Sequence, residues 1–319
     1  MVSSTEMPLV SIVIPCYNSE NYVSECLESV LSQDYANIEV VVVDDGSTDS
    51  SLEILSRYPG IRVLSQANAG ACVARNRGFG ISRGKYVKFL DSDDLLEPGV
   101  IGRQVMLAEN EGDNSIVYGD FFVLKNGKKR FQDTVLPKEH QSAALLFQDI
   151  LTSTPLHRRW MIERIGGFDE RFRNGQEWNL HVRLSSEGYF FVHQRGAVYC
   201  YRVHEAEGRI SNKRKGGGKR EEIEHTIRKF EMTRERLGEN FSGDLSAAFA
   251  KHYWYVARGY LNAGALSDCK AYRGRSKESS DNYKFYWSKK YKIMHSFFGF
   301  YLAELIFIVF KLLKGRDFV

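Results

Sequence analysis

The chain has 319 residues, room for one large domain or two modest ones at about 100–200 residues each. Hydrophobic residues make up 43% and charged residues 26%, which excludes both a disordered chain and a multi-span membrane protein. Forty-four basic residues against forty acidic ones leave a net charge of only +4, too balanced for an electrostatically driven nucleic-acid binder. Met1 to Pro8 lacks the basic and apolar segments of a secretory signal. Five cysteines without close pairing (Cys16, Cys26, Cys72, Cys200 and Cys269) argue against a disulfide framework and point to a reducing cytoplasm.

The first 95 residues alternate between short apolar runs and amphipathic stretches. Leu9 to Ile14 reads as a strand ended by Pro15, and Asn21 to Gln33 carries apolar residues at helical spacing. Ile38 to Val43 is apolar and rich in β-branched residues, the mark of a strand covered on both faces. Asp44-Asp45-Gly46 ends it, with Ser47 or Thr48 as candidate cap of the next helix. Ile61 to Leu64 reads as a strand, Gly70 to Ser82 as a helix and Lys85 to Leu90 as a strand. This βαβαβαβ order predicts an α/β fold with a doubly wound, mainly parallel sheet, whose ligands sit beyond the carboxyl ends of the strands. Three polar clusters fall there: Pro15 to Asn18, Asp44-Asp45 and Asp91 to Asp94.

Farther along, Ser115 to Lys125 and Lys129 to Phe131 flank Asn126-Gly127, a hairpin signal. Ser142 to Leu151 and Glu177 to Ser186 read as helices, and Phe190 to Tyr201 as a strand. The basic stretch Arg209 to Arg220, with three consecutive glycines, reads as a mobile loop: a lid over the donor or a linker. Glu221 to Leu237 and Leu245 to Ala263 read as helices, with a further one near the C-terminus.

Carboxylates at the ends of parallel strands suit a nucleotide diphosphate held with Mn²⁺ or Mg²⁺, which prefer oxygen ligands. Asp91-x-Asp93 supplies such a pair; the alternative is that these residues cap a helix beginning near Leu95.

The ordered series VSIVIPCYN (10–18), VVVDDGSTD (41–49), NAGACVARNRGF (68–79), GKYVKFLDSDD (84–94) and GGFDERFRNGQEWNLHVRL (166–184) resembles the family-2 inverting glycosyltransferases. The resemblance covers residues 8 to 211 and implies a GT-A fold binding a nucleotide-sugar with a divalent cation. It implies donor-binding roles for Pro15, Tyr17, Asn18, Asp44 or Asp45, Arg75 and Ser92, and metal-binding roles for Asp91 and Asp93. His204, similarly placed to a histidine of some relatives, joins the metal set or is an ordinary packed residue. The family's acidic pair before the aromatic is Gln176-Glu177 here, leaving Glu177 as the expected general base of a single displacement. The string His157-Arg158-Arg159-Trp160 is not the Q-x-x-R-W of processive relatives, so one sugar per encounter is expected.

Residues 1–215 are accordingly expected to form the GT-A domain, with a nucleotide-binding half (8–95) and an acceptor half (96–215). Residues 216–319 are expected to form a helical C-terminal extension. The apolar stretch 297–310 holds fourteen residues, short of the ~20 that span a bilayer. Aromatic and basic neighbours across 283–316 suit peripheral membrane contact, or else packing on the protein. The expected activity is transfer of one sugar to a glycan or lipid-linked acceptor in cell-surface polysaccharide synthesis, in the cytoplasm or at the inner face of the membrane. The alternatives are a nucleotidyltransferase, which would carry a glycine-rich basic loop after the first strand, and a sugar-nucleotide sensor or scaffold.

Overall fold

A computed structural model describes residues 7–204, 219–238, 243–280, 295 and 300–304. The chain divides into two compact units, Met1–Arg214 and Lys215–Val319.

Unit one is built on a five-stranded sheet in the order β3-β2-β1-β4-β8. The strands β1 (Val10–Cys16), β2 (Ile38–Asp44), β3 (Arg62–Ser65) and β4 (Tyr86–Phe89) run parallel, and β8 (His157–Arg158) is antiparallel at the edge. Both faces are covered, as the unbroken apolar runs require. Ile12, Ile14, Val40 and Val42 pack with Cys26, Leu27 and Val30 of α1 (Val23–Leu31) and Ile101 and Val105 of α4 (Val100–Asn110). Against the other face lies α3 (Ala71–Ile81), so closely that a Cβ on Gly78 would stand 2.5 Å from Val13 Cγ1. Each fully buried aliphatic side chain here is worth about 1.5–3 kcal/mol.

Pro15 does not end β1, contrary to expectation. The strand continues to Cys16, pairing Pro15 with Val43 and Cys16 with Asp44. The Val13 carbonyl accepts the Leu90 N–H, so odd residues of β1 face β4, and that ladder stops at Val13–Phe89. The proton that proline lacks would point where no partner strand remains.

A second sheet has the order β5-β9-β6-β7; the sequence offered three of its strands but not β5 or their assembly into one sheet. It comprises β5 (Leu95–Leu96), β6 (Ser115–Lys125), β7 (Lys128–Gln132) and β9 (Phe190–Val203). Asn126-Gly127 makes the anticipated two-residue turn, with φ of 51° and 72°. Three expectations are corrected. No helix begins at Leu95: Leu95–Leu96 pairs with Tyr199–Cys200 as β5. Ser47 and Thr48 do not cap α2 (Ser51–Ser56); Asp49 Oδ1 takes the Ser51 N–H at 3.0 Å instead. The helix expected over 142–151 is only Gln141–Leu145, α5, after which Leu146 and Ile150 are buried in irregular chain. Apolar spacing marks burial and not helix there. Two further helices, α6 (Arg159–Ile165) and α7 (Gln176–Ser186), complete the unit.

Unit two contains α8 (Lys219–Leu237), α9 (Gly243–Asn262) and α10 (Leu266–Ser279). Trp254, Ala257 and Tyr260 of α9 form an apolar cluster with Ile227, Cys269 and Phe300. Glu304, from the apolar C-terminal stretch, is buried between Arg258 (2.6 Å) and His295 (3.0 Å). Most of the proposed loop 209–220 and of the segment 283–316 lies outside the described residues. Among the described residues, no helix is long and apolar enough to cross a membrane.

Candidate functional site

The parallel register brings the carboxyl ends of β1, β2 and β4 to one edge, so Cys16, Asp44 and the segment after Phe89 are neighbours. Past β1, Tyr17 is 46% exposed, Pro15 half-buried, and Asn18 takes a left-handed φ of 48°. That turn lets the Asn18 N–H reach Ser47 Oγ at 3.0 Å while its Oδ1 accepts the Thr48 N–H at 2.8 Å. The loops after β1 and β2 are thereby stitched together.

Asp44 and Asp45 are both buried but differ in use. Among the described residues, the Asp44 carboxylate accepts only the Ser47 N–H, at 3.3 Å. Asp45 accepts three donors: Gln66 Nε2 at 2.6 Å and the Ala69 and Gly70 N–H groups at 2.8 Å. Its carboxylate shapes the loop that leads into α3.

In the third polar cluster, Asp91 to Asp94, a turn closed by the Asp94 N–H on the Asp91 carbonyl sends the carboxylates to separate partners. Arg75 is buried and donates from Nη2 to Asp91 Oδ1 and from Nη1 to Gln176 Oε1, each at 2.5 Å. Its guanidinium also stacks over Phe168, 5.3 Å from the ring centroid, and its buried Nε has no partner among the described residues. Burial pushes the guanidinium pKa down, but the adjacent Asp91 outweighs it and holds the pKa above its ordinary value. Arg75 therefore keeps its charge. Asp93 Oδ2 lies 2.8 Å from His204 Nε2, and the His204 ring stacks on Tyr22 with centroids 4.3 Å apart. Arg202 secures the same loop, donating from Nε to the Asp93 carbonyl and from its N–H to Asp94 Oδ1. Ser92 shares a 2.7 Å hydroxyl bond with Ser19 beneath the loop.

Glu177 stands in the first turn of α7, half-buried, with no hydrogen bond or ion pair to any described residue. Its nearness is electrostatic: its charge acts on Arg75 and on Cys72. The structure thus joins Arg75 to Asp91 and Asp93 to His204, whereas Pro15 and Tyr17 touch none of the other expected residues through polar bonds.

Sequence reasoning missed four supporting residues: Gln176, Tyr22, Arg202 and the buried Lys88. Only Lys88 carried a signal, as a cation inside the apolar run Tyr86-Val-Lys-Phe-Leu90. Its ammonium donates to Gln104 Oε1 at 2.9 Å and to the Thr154 carbonyl at 3.2 Å, and burial pushes its pKa down to about 7. Nearby, His157 and His181 stack at 5.7 Å, and burial drives His181 down to about 3.

Among the described residues no three His, Cys, Asp or Glu side chains converge on a point. The chemistry of the set nonetheless fits a divalent cation: two partly exposed carboxylates, Asp91 and Asp93, and one imidazole, His204. Mn²⁺ accepts such oxygen ligands with an added nitrogen and leaves positions for phosphate oxygens.

Strand order and the two sheets place this unit in the GT-A fold class. Staphylococcus aureus TarS 1–349, in a complex with UDP, superposes with a TM-score of 0.57 at 18% identity, over 85% of this chain and 92% of that one. A mannosyltransferase from Pyrobaculum calidifontis in complex with GDP-Man and Mn²⁺ gives a TM-score of 0.54 at 18% identity, over 98% and 89%. At the level of sequence, residues 11–164 match the model of glycosyl transferase family 2. A chondroitin synthase of Pasteurella multocida is 31% identical over 197 residues, 58% of this chain. The chain spans only about a fifth (20%) of that relative's length.

Proposed function

We propose that this chain is a metal-dependent, inverting glycosyltransferase that moves a single sugar from a nucleotide-sugar donor to a glycan or lipid-linked acceptor during polysaccharide synthesis. The observation that carries the reading is the contrast between a buried, charged Arg75 bonded to Asp91 and a Glu177 on the adjoining helix that has no polar partner among the described residues. The family domain, the polysaccharide synthase among its relatives, and the nucleotide and nucleotide-sugar held by its structural neighbours support it.

In this reading Tyr17, Pro15 and Asn18 line the nucleoside pocket, and Asp44, with a single donor, is the better placed of the acid pair to meet the base. Ser92 keeps the Asp91–Asp93 loop in shape through Ser19. Asp91, Asp93 and His204 would hold Mn²⁺ or Mg²⁺, which supplies stabilisation for the charge on the departing diphosphate. Arg75 adds a fixed positive charge on the same side, in a site whose burial strengthens it. Glu177 accepts the acceptor hydroxyl's proton as that oxygen attacks the sugar, so one displacement with inversion needs no covalent intermediate. Peripheral membrane contact through 283–316 belongs to the same reading where the acceptor is lipid-linked, and salt-sensitive co-sedimentation with anionic vesicles checks it.

The test is a panel of UDP- and GDP-sugars assayed with and without Mn²⁺ for binding, for nucleotide release and for the anomeric configuration of the product. Metal-dependent transfer with inversion is expected. Nucleotide binding without turnover would mark a sensor or scaffold instead, and no binding at all would end the reading.

A further inference from the structure

The family pattern has an acid where this chain has Gln176, and the neutral amide has a defined place. Gln176 is buried, its Oε1 accepting from Arg75 Nη1 at 2.5 Å and its Nε2 donating to the Arg173 carbonyl at 3.1 Å. The two contacts fix the amide's orientation. Turned over, it would set an NH₂ against the guanidinium and an oxygen against a carbonyl. At the entry to α7 the N-cap is Gly175, with φ of 63° and no side-chain capping bond. Glu177 follows directly and has no partner among the described residues, so its place is inherited from the backbone of this turn.

We propose that Gln176 is a positioning residue: by bridging Arg75 and the Arg173 carbonyl, it ties the turn that carries Glu177 to the Asp91 edge of the donor site. This rests on the function proposed above. The amide accepts from Arg75 without adding negative charge, so the guanidinium remains directed at Asp91 and at an incoming diphosphate. A glutamate would lose the bond to Arg173 and compete with Asp91 for the same cation.

The experiment uses the full chain with Gln176→Glu and Gln176→Leu. It reads UDP and GDP binding in Mn²⁺ by calorimetry, kcat and donor KM for the sugar transferred, and melting temperature. Gln176→Glu, nearly equal in shape, is expected to weaken nucleoside diphosphate binding and raise donor KM by about tenfold, the size of one altered charge-assisted hydrogen bond. Gln176→Leu is expected to lower kcat by about 10–100-fold with nucleotide affinity within about threefold of the wild type, because the base is misplaced and not removed. Wild-type kcat and KM in both variants would overturn the inference while leaving the proposed function intact. So would a loss of rate that vanishes on cooling well below each variant's melting temperature, which marks a purely structural role. A wild-type chain that binds neither UDP nor GDP would overturn both.

Discussion

The acids along the carboxyl edge of the first sheet and the acid at the start of α7 are equally prominent in the sequence but stand in opposite situations. Asp44, Asp45, Asp91, Asp93 and Asp94 each have a hydrogen-bond partner, whereas Glu177 has none among the described residues. The edge acids sit in loops, where backbone N–H groups and neighbouring cations need acceptors, and they hold those loops in shape. Glu177 sits in the first turn of α7 and accepts no hydrogen bond from a described residue, so its carboxylate is left over. An acid that shapes a loop and the acid proposed to take a proton are thus separated by what surrounds them.

The sharpest way to break this contrast is Glu177→Gln, which keeps size and removes the proton acceptor. Transfer should fall by about 10²–10⁴-fold while nucleotide affinity changes little. A large loss of affinity with a modest loss of rate would move Glu177 to the donor side. Next, Asp93→Asn should lower turnover by about 10²-fold and abolish the enhancement of nucleotide binding by Mn²⁺, read by titrating nucleotide with and without the metal. Equal Mn²⁺ dependence in the variant would remove Asp93 from the cation set. Asp45 should respond differently from both. Asp45→Ala strands two backbone N–H groups and should cost about 1–3 kcal/mol of stability in urea unfolding.

The smallest effect concerns two buried cations. Arg75 faces a carboxylate and stays charged; Lys88 has only neutral acceptors, and its pKa falls to about 7. The unfolded chain keeps that lysine protonated up to its ordinary value near 10.5, so between the two values it binds more protons than the folded chain. Stability from this group should therefore rise as pH climbs through the window from about 7 to about 10, and be lacking below it. His157, which faces Lys88 from β8, and His181 of α7, stacked on His157, are already neutral there because burial lowers both. Melting temperatures at both ends of the window should show this slope in the wild type and a flatter one in Lys88→Met. Equal slopes would mean that Lys88 stays charged.

The parallel sheet was legible because Ile38 to Val43 and its counterparts are apolar on both faces, a local signature. The Asn126-Gly127 turn was legible for the same reason. The strands β6, β7 and β9 were legible too, but their assembly was hidden: β5 is two residues long, and β6 pairs in parallel with β9, whose first residue lies 65 positions past Lys125. Nothing local announces such a partner. For the site, strand ends and the D-x-D spacing located Asp44, Asp45, Asp91 and Asp93, and the resemblance added Arg75, Glu177 and His204. Gln176, Tyr22 and Arg202 escaped because each matters through a neighbour distant in sequence: Gln176 lies 101 positions from Arg75.

The two-residue strand β5 has a consequence for how the molecule comes into being. Leu95 pairs with Cys200 and Leu96 with Tyr199, and the antiparallel register then carries His204 back to Asp93, 111 positions earlier. The strand ends bearing Asp44 and Asp91 come from the first third of the chain and can assemble early during synthesis. The Asp93–His204 pair cannot close until β9 has been made and docked, a contact of long loop closure and slow formation. A nascent chain leaving the ribosome would thus acquire the edge bearing Asp44 and Asp91 well before the histidine opposite Asp93, and the two parts of this region mature at different times.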